Sequence, residues 1–150
     1  FDDCSLNELL EEIYQTHHLL MPSNIRFLKE FQEMELIIHV DRFRFTQVIT
    51  NFINNAVKFT TKGHILLGTV YKKEEKEVHV FVEDTGKGMS EEAQKKVFER
   101  FFKVDEFAQG TGLGLSICQT IAERLEGRIT LSSQEGKGSR FTLIIPCRPK

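Results

Sequence analysis

The chain has 150 residues, 40% of them hydrophobic, with 20 basic and 22 acidic side chains and a formal net charge of −2; that is chain enough for one cored domain and too little for two. The charges are spread along its length, so no basic stripe marks nucleic acid as a partner. Cys4, Cys118 and Cys147 lack CxxC spacing, which argues against a disulfide framework or a zinc site and fits a reducing compartment.

No apolar run is long enough to span a membrane, and Phe1-Asp2-Asp3-Cys4-Ser5 lacks the basic start and apolar stretch of a signal peptide. The expectation is a soluble domain. The chain begins without methionine, as a fragment of a longer protein would.

Leu6, Leu9, Leu10 and Ile13 recur at helical spacing, and Pro22-Ser23-Asn24 predicts that this first helix stops near Met21. Residues 25–31 and 36–40 are short runs rich in β-formers, and Asp41 then stands where an N-cap belongs. A long helix is predicted from about 42 to 59. Residues 64–72 and 77–83 read as an antiparallel pair around the charged turn Lys73-Glu74-Glu75-Lys76.

Residues 84–113 hold Gly86, Gly88, Gly110 and Gly112 around one short helix near 90–98. That is too much irregular chain to be mere connection. Leu115, Cys118, Ala122 and Leu125 then mark one face of a helix that Gly127 is expected to end, and 128–133 and 140–146 supply closing strands. Partly segregated strands and helices predict an α+β two-layer sandwich, with helices covering one face of a mostly antiparallel sheet.

Four segments carry candidate chemistry. On the long helix, Gln47, Asn51, Asn54, Asn55 and Lys58 fall in one polar arc opposite Phe45, Val48, Ile49, Phe52, Ala56 and Phe59. Solvated helix faces use Glu, Lys and Arg more often than Asn, a weaker helix former. Amide oxygens are hard, neutral ligands for Mg²⁺, and a lysine beside them suits a polyphosphate. The plain alternative is a solvated face.

Next, Glu83-Asp84-Thr85-Gly86-Lys87-Gly88-Met89 ends a strand. Its carboxylate is free to accept a hydrogen bond from a flat ligand that the glycines let approach; the alternative is an ordinary Asp-x-Gly turn. The third segment, Gln109-Gly110-Thr111-Gly112-Leu113-Gly114-Leu115, opens a helix and would present backbone N–H groups to phosphate. It fits neither the dinucleotide fingerprint nor a Walker loop, and a flexible surface loop is the alternative. Fourth, Val97-Phe98-Glu99-Arg100-Phe101-Phe102-Lys103 joins core-seeking phenylalanines to two cations, Arg100 and Lys103, able to reach phosphate oxygens.

Taken in chain order, with Val97–Lys103 before Gln109–Leu115, the four segments resemble the asparagine, first glycine, phenylalanine and second glycine boxes of sensor histidine kinases. Glu135-Gly136-Lys137-Gly138-Ser139-Arg140-Phe141 follows as that family's last box would. The resemblance spans residues 1 to 147. It implies the Bergerat fold shared with gyrase B, Hsp90 and MutL, and ATP and Mg²⁺ as ligands.

By that likeness Asn55 would bind Mg²⁺, with Asn51 supporting it one turn earlier. Lys58 would contact phosphate, and Phe59 would line the nucleotide site. Asp84 would accept from the adenine amino group in a pocket shaped by Gly86, Gly88 and Met89. Gly110, Thr111, Gly112, Leu113, Gly114 and Leu115 would close on the phosphates with Lys103, and Arg100 would touch the γ-phosphate.

Hydrolytic relatives carry a glutamate where this chain has Asn51, and an amide cannot act as a general base. The implied activity is therefore transfer of the γ-phosphate to a histidine on a separate dimerisation domain, then to a response regulator receiver domain. His17 has the family's spacing to Pro22 but lies too close to Asn51 for the acceptor hairpin. The resemblance further implies a monomeric cytoplasmic domain whose homodimeric parent can be anchored in the inner membrane. A hydrolytic ATPase clamp and a non-catalytic nucleotide-binding module are the competing functions.

Overall fold

The computed structural model describes residues 1–98 and 114–150. In chain order the elements are β1 (Asp2–Ser5), α1 (Leu6–Leu20), β2 (Ile25–Glu30), β3 (Leu36–Val40), α2 (Arg42–Phe59), β4 (Gly63–Lys72), β5 (Glu77–Asp84), α3 (Glu91–Lys96), α4 (Gly114–Arg124), β6 (Arg128–Gln134), β7 (Gly138–Pro146) and β8 (Arg148–Pro149).

Helices α1, α2 and α3 start where side chains satisfy the N–H groups that a first turn leaves orphaned. Ser5 accepts from Glu8 at 3.4 Å, and Asp41 accepts from Phe43 at 3.0 Å and Arg44 at 3.3 Å. Ser90 accepts from Ala93 at 3.1 Å. From its cap α2 runs to Phe59, burying Phe45, Val48, Ile49, Phe52, Ile53 and Ala56. Each such Val, Ile or Phe side chain contributes about 1.5–3 kcal/mol when removed from water.

Five strands form the main sheet in the order β2-β4-β5-β7-β6; β2 pairs with β4 in parallel and the other pairs are antiparallel. The register sets Ile65 opposite Asp84 and Asp84 opposite Ser139, so these share one face with Val78, Val80, Val82, Phe141 and Leu143. Helices cover that face. Phe52 of α2 stacks on Phe141 at 5.4 Å between ring centroids.

On the opposite face Phe81 lies in the notch left by Gly68, where an added Cβ would stand 2.4 Å from the ring. Arg140 covers that ring at 3.9 Å while pairing with Glu83.

A second, three-stranded antiparallel sheet, β1-β3-β8, was not expected. Its outer strands are short and exist through pairings such as Asp2 with Val40 and Leu36 with Pro149, which no local pattern announces. Gly127 also differs from its predicted role. The left-handed residue after α4 is Glu126, at φ 62°, with Gly127 N–H reaching Ala122 O at 2.8 Å in a Schellman closure. Gly127 is required for another reason: a Cβ there would lie 2.1 Å from Ile144 O.

Candidate functional site

The polar arc of α2 carries Asn51 and Asn55, both half-buried, with Asn54 and Lys58 exposed. Phe59 closes the helix half-buried, and the Lys87 ammonium stands 5.0 Å from its ring centroid. Among the described residues no cluster of His, Cys, Asp and Glu could hold a metal ion. A divalent cation at this arc would therefore depend on amide oxygens and on oxygens brought by a ligand, a donor set that suits hard Mg²⁺.

Asp84 ends β5 with 6% of its surface exposed. Its Oδ1 accepts from Gly86 N–H at 2.8 Å, and the backbone N–H of Ser139 adds a second favourable pull on the charged carboxylate. Burial pushes its carboxyl above the usual carboxylate range, against the pull of those two N–H groups. No cation among the described residues pairs with it, so it keeps acceptor capacity at a low-dielectric spot.

Backbone contacts fix the loop around this carboxylate. Lys87 N–H donates to Phe59 O at 3.1 Å, and Gly136 N–H donates to Lys87 O at 2.6 Å. A Cβ at Gly86 would stand 2.2 Å from Phe59 O. At Gly88, whose φ is +68°, it would stand 2.1 Å from Gln134 O. Met89, buried, donates its N–H to Ser133 Oγ at 2.8 Å, and Gln94 Nε2 spans Met89 O and Ser133 O at 3.0 and 3.1 Å.

The structure thus brings Phe59, Asp84, Gly86, Gly88 and Met89 together. Gly114 and half-buried Leu115 open α4, and Gly114 meets Asn51 of α2. Arg100, Lys103, Gly110, Thr111, Gly112 and Leu113 lie outside the described residues.

Three residues of this neighbourhood escaped the sequence reading. Ser133 and Gln94 tie the loop to β6 through side chains far apart in sequence. Thr60 is buried just after Phe59, and its Oγ1 lacks a hydrogen-bond partner among the described residues. None has a local signature.

Two of the histidines are engaged elsewhere. His17 Nδ1 bonds Ile13 O within α1 at 2.9 Å, and His39 pairs with Asp3. Cys118 is no nucleophile either, since burial pushes its thiol up to about 12.

A family profile described as histidine kinase-, DNA gyrase B-, and HSP90-like ATPase matches residues 40–149. The chain belongs to this ATPase family. Within it the likeness is to histidine kinases. The catalytic domain of histidine kinase ThkA superposes with a TM-score of 0.83 at 35% identity, covering 97% of this chain and 95% of that one. A mycobacterial sensor histidine kinase, MprB, gives 0.87 at 19% identity over 99% and 100% of the two chains, a likeness of fold.

Histidine protein kinase 1 of Candida albicans is 37% identical in an alignment 151 positions long that covers 94% of this chain and 6% of that protein. Sensor histidine kinase WalK of Bacillus subtilis is 33% identical over 128 residues, 82% of this chain and 21% of WalK. The chain therefore spans a small part of these curated relatives. No helix among the described residues is long and apolar enough to cross a membrane.

Proposed function

We propose that this chain binds MgATP and passes its γ-phosphate to a histidine on the dimerisation domain of a longer parent protein, as the catalytic module of a two-component kinase. The observation that carries this reading is Asp84. It is a buried carboxylate at a strand end, held by the Gly86 N–H in a loop whose glycines let the backbone pack closely against Phe59 and Gln134.

Asp84 accepts from the exocyclic amino group of adenine, with Phe59, Gly86, Gly88 and Met89 shaping the pocket. Asn55 offers an amide oxygen to Mg²⁺, which would neutralise phosphate charge. Asn51 supports it from one turn earlier. Lys58 and Arg100 serve the phosphates, with Lys103 and the segment from Gly110 to Leu115. With an amide at position 51 no group there activates water, so ATP is held intact for an incoming nucleophile.

An imidazole nitrogen of the acceptor attacks the γ-phosphorus, the bond to the β,γ-bridging oxygen breaks, and ADP leaves. The phosphoryl group then moves to a response regulator receiver domain. The parent acts as a homodimer and the present domain as a monomer within it.

The test supplies the parent's dimerisation domain in trans with γ-labelled ATP. The expected result is acid-labile, base-stable label on that domain, with little phosphate released when it is left out. Phosphate release at the same rate with and without the acceptor would establish a hydrolytic clamp instead.

A further inference from the structure

Gly114 is the first residue of α4, and it is not among the glycines whose φ is positive. Its backbone is therefore open to alanine, which helices prefer to glycine. A Cβ there would nevertheless stand 2.4 Å from Asn51 Oδ1, 3.3 Å from its Cγ and 3.7 Å from its Nδ2. The three nearest atoms all belong to one amide. At Gly86, Gly88, Gly127 and Gly138 the added atom would instead strike a backbone carbonyl oxygen.

We propose that Gly114 is the slot for the Asn51 carboxamide, and that Asn51 is a positioning residue which ties the start of α4 to α2. The amide oxygen is an acceptor set beside a helix N-terminus, where first-turn N–H groups lack intrahelical partners and negative potential is favoured. Asn55 lies one turn further along the same arc of α2, so the contact seats α4's first turn beside the residue assigned to the cation through a side-chain stop that a change of rotamer can release. The phosphate part of this inference rests on the reading of the site under Proposed function; the interlock itself does not.

The contact predicts a reversal of sign. In the natural chain Gly114→Ala evicts the Asn51 amide, which lowers the melting temperature and weakens ATP severalfold. In an Asn51→Ala background the slot is empty, so Gly114→Ala is neutral or raises the melting temperature and weakens ATP no further. Asn51→Asp keeps the oxygen and preserves the thermal cost of Gly114→Ala. Affinity for adenosine, which lacks phosphates, stays within about twofold throughout, a change worth well under 1 kcal/mol.

The experiment is this double-mutant cycle, read by thermal melting without nucleotide and by calorimetric titration of ATP and adenosine. Equal cost of Gly114→Ala in both backgrounds overturns the interlock, and equal losses of ATP and adenosine overturn its phosphate role. If Gly114→Ala alone does not fold, folding of the double variant supports the slot, and its failure to fold overturns it. A natural chain that binds no ATP refutes the functional reading, while the melting cycle still decides the interlock.

Discussion

The two ends of α2's polar arc are held by different means. Beyond its C-terminus, backbone meets backbone: Phe59 O accepts from Lys87 N–H, Lys87 O accepts from Gly136 N–H, and Gly86 has no room for a side chain beneath Phe59 O. At Asn51 the contact is a side-chain amide filling the space of a missing Cβ. Carbonyl oxygens cannot step aside without bending the main chain, whereas an amide can swing on its rotors. The end around Asp84 is therefore preformed, and the end at α4 is adjustable.

The sharpest way to break this contrast is Gly86→Ala, where the new methyl group meets a backbone carbonyl at 2.2 Å. It should cost about 3 kcal/mol, the upper part of the range for overpacking, read as a lowered urea midpoint at unchanged slope. A cost below 1 kcal/mol would show that the loop yields. Next comes Asn55→Ala. It should weaken ATP roughly tenfold with Mg²⁺ present, about 1.4 kcal/mol, and much less with metal chelated. Equal losses would remove Asn55 from the cation.

Gly136→Ala is the control for space. Its φ is +82° but nothing lies within 4 Å of an added Cβ, so the cost should be the left-handed backbone alone, about 1 kcal/mol. Smallest is an acid effect remote from both ends. Burial holds the His79 imidazole below its ordinary 6.5. Its neutral form therefore favours the fold above that pH, and the stability is lost as pH falls and the unfolded chain takes up the proton first. His79→Gln should flatten the fall in melting temperature between pH 7 and 5, and an unchanged slope would assign that fall to other groups.

Much of this fold was legible because its signals are local. Asp41 announced α2, and the apolar arc from Phe45 to Ala56 is the buried one. The alternation of Val78, Val80 and Val82 marked β5. Pairings between distant segments left no such mark, which is why β1, β8 and the parallel union of β2 with β4 came only with the structure.

The candidate site divides in the same way. Asp84 and its glycines are a contiguous motif, while the Ser133–Gln94–Met89 bonds and the Thr60 hydroxyl depend on side chains that only folding brings near. Gly127 shows the residual ambiguity, since a glycine after a helix signals a left-handed cap even where close approach to Ile144 is what demands it.

The central claim is that Asp84 is kept for adenine rather than for the turn, and Asp84→Asn tests it most directly. Burial raises the Asp84 carboxyl, so its contribution favours the fold below pH 3.8 and is lost as pH rises through the folded value. At pH 7 the neutral amide should therefore leave the melting temperature unchanged or higher. ATP affinity should fall roughly tenfold or more, the loss of about 1.5–3 kcal/mol for a charge-assisted hydrogen bond. GTP, whose guanine carbonyl an amide N–H can meet, should bind no worse or better. A lowered melting temperature with an unchanged ratio of ATP to GTP affinity would contradict the account and make Asp84 a turn residue.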